Sequence, residues 1–253
     1  MKLSPQEKAA HRETFQKMNP AAKLDYIFTY FKGPILWTLA AALVLGSILY
    51  RQITKKETVV YLGLINVTIG DNLETMLTTD YLAATGLNSQ RHQVQTYSGL
   101  YLSENPTSEN HQYAYASRMK LMASINSKQM DVALMSREAY NQMSASGYLL
   151  NLDVFLSESS PEVYNQLAPF LIENQVVLED NSIDFDLNIA QEYSVITESI
   201  PNAIDVSLFP FIQEAGFSDS VYVGIIANSP RISADISYLE YLASLTKEIS
   251  IPA

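Results

Sequence analysis

"KQMDVALMSREAYNQMSASGYLLNL", residues 128–152, decides the fold. Val132 to Met135 is an apolar run too short for a helix, and Ser136 offers a capping hydroxyl where a helix would begin. Glu138 to Ser146 has helical texture, Gly147 is a stop signal, and a second apolar run follows in "GYLLNL". A buried strand that passes straight into a capped helix and returns so soon is the repeating unit of an α/β sheet.

The same alternation extends on both sides. "TVVYLGLINV" (58–67) reads as a buried strand, Gly70-Asp71 as punctuation, and "NLETMLTTDYLAAT" (72–85) as a helix closed by Gly86. "RHQVQTYSGLYL" (91–102) is a second strand and "SENPTSEN" (103–110) a loop. "HQYAYASRMKLMASIN" (111–126) is a helix whose spacing runs through Tyr115, Met119, Met122 and Ile125. Residues 174–189 read as two strands about a turn at Glu179 to Ser182. There Ile183, Phe185, Leu187 and Ile189 alternate with Asp184, Asp186 and Asn188, giving one dry and one wet face. Val221 to Ala227 returns as a buried strand. Asn228-Ser229-Pro230 then reads as a cap with proline in the first turn of a helix carrying Ile236, Leu239, Tyr241, Leu242 and Leu245. Residues 58–253 are therefore expected to form an α/β domain, a mainly parallel sheet with flanking helices.

The N-terminal part follows a different rule. "GPILWTLAAALVLGSILY" (33–50) is uncharged over 18 residues and, as a helix, spans about 27 Å, close to a hydrocarbon core. Trp37 and Tyr50 sit near its ends, where amphipathic rings favour the interface. It is expected to be one transmembrane helix, with residues 51–57 as a tether. Residues 1–32 read as two short helices, the first opened by the capping box "SPQE" and the second by Asn19-Pro20. In the second, Leu24, Ile27, Phe28 and Phe31 share a face. That face suits a helix lying at the headgroups or one docking on a membrane partner. Six Lys/Arg precede the apolar run and three follow it closely, which favours a cytoplasmic N-terminus, a single pass through the cell membrane and an extracellular C-terminal domain.

Charge and composition exclude several functions. From Thr58 onward the chain carries seven basic and 23 acidic residues, a net −16, which argues against nucleic-acid binding. With no cysteine there is no disulfide, thiolate metal site or thiol nucleophile. Asp180, Ser182, Asp184 and Asp186 have part of a calcium-loop spacing, but Phe185 stands where the loop needs glycine and Gln191 where it needs glutamate, so a polar hairpin face is expected. His11, His92 and His111 lack metal-ligand spacing, and neither a Gly-rich phosphate loop nor a G-x-S-x-G elbow occurs. No catalytic residue, metal or cofactor is expected, and the chain reads as a non-enzyme. Ligands of open α/β sheets bind at the C-terminal ends of parallel strands. Asn66, Asn228 and Ser229 fall at such ends and are the candidate ligand residues, with helix capping as the alternative role of Asn228 and Ser229. Tyr97, Tyr101 and Tyr113 form a candidate interaction surface. Tyr113 and Tyr115 cannot share a helix face, so one of them is expected in the core.

The order of "DVALM", a helix and "GYLLNL", followed later by "VYVGIIANSP" before another helix, resembles type 2 periplasmic, or extracellular solute-binding, proteins. The segment "VGIIANSPRISADISYLEYL" is similar to their return strand and the helix packed on it, and "KLDYIFTYFKGPIL" resembles membrane anchors of Gram-positive proteins carrying such a domain. The resemblance implies a two-lobed clamp. Only about 60 residues lie between Ser160 and Ser220, so the second lobe would be reduced, and the lipobox cysteine is replaced by a transmembrane helix. The function it implies is a membrane-anchored extracellular module that recognises a small solute, peptide or envelope component. The alternative is a ligand-free accessory subunit docking on a membrane partner such as an ABC-type transporter. A polar cleft between two lobes favours the first; filled sheet ends beside an exposed tyrosine-rich patch favour the second.

Overall fold

The computed structural model describes residues 18–30, 32–103, 110–180 and 195–246. The chain divides into two compact units between Lys55 and Lys56. In the first, α1 (Pro20–Tyr30) starts where Asn19 accepts the Ala22 amide at 2.8 Å, with Pro20 as its first residue. The second helix, α2 (Lys32–Thr54), carries Leu36, Trp37, Leu39, Leu43, Val44 and Leu45 exposed around its circumference. It runs further than the apolar segment, through most of the expected tether. Among the described residues no helix is long and apolar enough to cross a membrane. The side chains at positions 48–54 of α2 lie outside that description, as does the expected first helix around "SPQE".

The second unit is built on one six-stranded sheet in the order β2-β1-β3-β6-β5-β4. The strands are β1 (Glu57–Ile65), β2 (His92–Leu100), β3 (Val132–Ser136), β4 (Leu171–Asp180), β5 (Val195–Asp205) and β6 (Val221–Ile225). β1 pairs in parallel with β2 and β3, whereas β3–β6, β6–β5 and β5–β4 are antiparallel. The sheet is therefore mixed, which corrects the expectation of a mainly parallel one. Only the first three strands are joined by helical crossovers of the kind that keep neighbours parallel. Of the strands expected within 174–189, β4 covers the first; the second, with Asp184 and Asp186, lies outside the described residues. β5 begins beyond it, at the β-branched run Val195-Ile196-Thr197, where no strand was expected.

Helices cover both faces, and the strand residues sort by parity. Val60, Leu62, Leu64, Val132, Leu134, Val221, Val223 and Ile225 enter one core. Packed on it are α7 (Leu152–Ser159), α8 (Pro161–Leu167) and α10 (Ile232–Ser244). Ile65, Ala133, Met135 and Tyr222 enter the other core, beneath α5 (His111–Asn126) and α6 (Arg137–Ala145). This is the period-2 rule of a sheet buried on both sides. Ser136 caps α6 by accepting the Ala139 amide, and Gly147 closes the turn after it at φ +69°.

The helix after β1 is broken in its middle. It consists of α3 (Asp71–Thr75), a π turn (Met76–Asp80) and α4 (Tyr81–Ala84). The Met76 and Leu77 carbonyls at the π turn accept the hydroxyls of Tyr241 and Tyr238, each at 3.0 Å, and this fastens α10 across the domain. The short α9 (Pro210–Glu214) contributes Phe211 and Ile212 to the first core.

Residues 160–220 do not form a second lobe among the described residues. α8, α9, β4 and β5 all join the one sheet and its core. A buried polar chain fixes them there. The Tyr140 hydroxyl donates to Asn202 Oδ1 at 2.9 Å, Asn202 Nδ2 to Ser144 Oγ at 2.7 Å, and Ser144 Oγ to the Gln175 carbonyl at 3.0 Å. With α6 bonded to β5 through buried groups and to β4 through a partly buried one, separating them as a hinged lobe would strand polar atoms in the core.

Candidate functional site

The sheet places the sequence-predicted ligand residues at opposite ends. Because β6 is antiparallel to β3, with Val132 opposite Ile225 and Ser136 opposite Val221, its C-terminus lies at the start of β3. Asn66 follows the C-terminal end of β1; Asn228 and Ser229 stand at the other edge. No single ligand can use all three.

Each of the three is also engaged in holding the fold. Asn66, at φ +56°, spans the Leu102 peptide. Its Nδ2 donates to the Leu102 carbonyl at 2.5 Å and its Oδ1 accepts the Leu102 amide at 2.7 Å. Asparagine tolerates the left-handed backbone that aims the side chain this way. Asn228 Nδ2 donates to the Ile125 carbonyl at 2.9 Å, closing the C-terminal turn of α5. Ser229 Oγ donates to Asp131 Oδ1 at 2.7 Å. The helix after β6 begins at Ile232 without a side-chain cap, so Asn228-Ser229-Pro230 does not form the expected cap.

Ser229 belongs to a charged cluster that sequence reasoning missed. Asp131 is fully buried just before β3. Its Oδ2 accepts the Tyr61 amide at 2.8 Å and Arg231 Nε at 2.7 Å. The Arg231 guanidinium also donates to the Lys128 carbonyl and covers the Tyr61 ring, 4.6 Å from its centre. Asp235, on the first turn of α10, is equally buried, and neither carboxyl oxygen has a hydrogen-bond partner. Burial pushes its carboxyl up to about 7; the Asp131 charge adds to this, while Ser229 and Arg231 oppose it. One guanidinium thus serves two buried acids, one of which is held neutral at acid pH. The only sequence signal was an aspartate next to a buried strand. Its partner is 100 residues away, too far for any motif to join them.

The tyrosines divide between two surfaces. Tyr97 stacks on Tyr61 at 6.0 Å, within reach of the Arg231 cluster. Tyr101 stacks on Tyr113 at 5.8 Å, and the Tyr113 hydroxyl donates to the Gly99 carbonyl at 2.9 Å. Tyr113 and Tyr115 are 53% and 63% exposed, which corrects the expectation that one is core. The buried face of α5 is Ala114, Ser117, Leu121, Ser124 and Ile125. Its small residues let the helix lie close to the sheet and turn Tyr115 and Met119 outward.

Open recesses lie along the C-terminal side of the parallel strands. One of 160 Å³ is bounded by α5 and α6, and one of 480 Å³ by Ser136, Asn141 and Ser220. Among the described residues no group of three or more acidic or histidine side chains could hold a metal ion.

Fold and site together define a mixed α/β domain, with helices on both faces of one sheet, in a chain that also carries a separate helical N-terminal unit. No protein-family model matches the chain, and no curated protein matches it. Among solved structures, a mutant OxyR of Corynebacterium glutamicum with H2O2 bound aligns with 96% of this chain and 87% of its own length, at 12% identity and a TM-score of 0.25. A superposition that loose carries no argument about function.

Proposed function

We propose that the chain is a membrane-anchored, non-enzymatic interaction module that docks on an integral membrane partner through the outer face of α5. The observation that carries this is the exposure of Tyr115 and Met119 together on the outer face of α5, beside sheet ends whose asparagines are committed to the backbone. Large aromatic and methionine side chains are what a binding surface presents, and water gives them no reason to cluster outside. The anchor in this reading is α2, with its apolar side chains exposed all round; a helix apolar on every side needs apolar surroundings. The α/β domain then stands outside the cell, as the distribution of lysine and arginine favours. The antiparallel β6 with α10 behind it is in keeping with the return strand and helix of a solute-binding lobe, here without a second lobe to close on a solute.

Photo-crosslinking in intact membranes tests this reading. A benzoyl-phenylalanine placed at Tyr115 or Met119 should capture an integral membrane protein, and the same group at Val154, exposed on α7, should not. Equal capture from all three positions, or none from α5, refutes the docking face.

A further inference from the structure

The 160 Å³ recess on the C-terminal side of β2 and β3 carries an inference that does not depend on the docking reading. Its α5 wall is His111, Tyr115 and Arg118, spaced i, i+4, i+7 and so aligned on one helix face. Leu102 and Ala114 are its buried apolar lining, and Gln142 of α6 faces it from the far side. The walls are held in place before any ligand arrives. Asn66 grips the Leu102 peptide from both sides, and Ser117 of α5 accepts the Tyr101 amide.

The charge here is out of keeping with the rest of the domain. From Thr58 onward acidic residues outnumber basic ones 23 to seven, yet among the described residues no carboxylate pairs with Arg118. Neither Arg118 nor His111 makes an ion pair or hydrogen bond among the described residues. Arg231, by contrast, is fully engaged. An arginine left without a partner at a fixed recess in an acidic domain is a preformed seat for an anion. A guanidinium presents a planar fork that matches a carboxylate. One guanidinium balances one negative charge and not two, and the net −16 of the domain opposes a phosphate dianion further. The recess opens to solvent, so a carboxylate can enter it while the rest of its carrier stays outside.

We propose that this recess binds a carboxylate group, with Arg118 as its ionic partner and His111 and Tyr115 at its rim. The carboxylate can belong to a small solute or to the C-terminus of a polypeptide, and the test separates the two.

The experiment uses the full chain in detergent micelles. Six arginines and three histidines give few enough side-chain nitrogen signals for assignment by substitution. Acetate, a pentapeptide with a free C-terminal carboxyl and the same peptide as its amide are titrated at constant ionic strength. Arg118 Nε and the His111 ring should shift saturably with acetate and with the free-acid peptide, but not with the amide. In Arg118→Gln, the response of His111 should need about tenfold more ligand or vanish. A free-acid peptide that binds more tightly than acetate supports a polypeptide terminus; equal affinity supports a small solute. The proposal falls if neither carboxylate gives saturable shifts, if the amide binds as well as the acid, or if His111 responds unchanged in Arg118→Gln.

Discussion

Replacing Asp235 with asparagine tests the buried acid cluster most directly. In the folded chain the Asp235 carboxyl is pushed up to about 7 by burial; in the unfolded chain an aspartate titrates near its ordinary value of about 3.9. Between those pH values the folded state holds a proton that the unfolded state has released. Stability therefore falls as pH rises through this window, is greatest below it, and levels off above it, where both states are ionised. The interval multiplied by 1.36 kcal/mol per pH unit gives about 4 kcal/mol of stability lost between acid and neutral pH. Asp235→Asn carries no titrating proton, so that dependence should disappear. The amide fills nearly the same volume in the same enclosed place, where an unsatisfied polar group costs about 1–3 kcal/mol. The variant should thus be less stable than the wild type near pH 4 and more stable near pH 8, the curves crossing in between. Urea unfolding of both proteins in detergent, followed by far-UV circular dichroism across this range, measures the difference. A wild-type-minus-variant difference that stays constant with pH, or grows in favour of the wild type as pH rises, would refute the account of Asp235 as an unpaired buried acid.

Val132→Asp should cost several kcal/mol, since the Val132 side chain has no exposure and a carboxylate there would meet only apolar neighbours; an unchanged melting temperature would show that β3 is not central. Asn66→Ala should lower stability by about 2–4 kcal/mol, from two lost hydrogen bonds and a left-handed backbone that alanine does not favour. The same variant should weaken acetate binding at the recess, because Leu102 loses its clamp; wild-type stability together with wild-type titration would remove Asn66 from both roles.

Much of this protein follows from local sequence. Strand β3, its serine cap, the α6 helix and the glycine stop can be read from residues 128–152 because each is set by side-chain period and backbone freedom within a few residues. The start of α1 at Asn19-Pro20 is legible for the same reason. Local pattern cannot give strand direction. Val221 to Ile225 is apolar throughout and would look the same running either way, yet its antiparallel placement beside β3 moves Asn228 and Ser229 to the far end of the sheet from Asn66. The outer face of α5 does not follow from local pattern, because the helix buries alanine and serine where close packing needs small residues, leaving Tyr113, Tyr115 and Met119 in solvent. The joining of β4 and β5 to the one sheet rests on Tyr140, Asn202 and Ser144, and the buried cluster on Asp131, Ser229, Arg231 and Asp235. In both, the partners are brought together only by folding, and the energy of a buried polar group depends on what surrounds it in space, which the order of residues along the chain does not state.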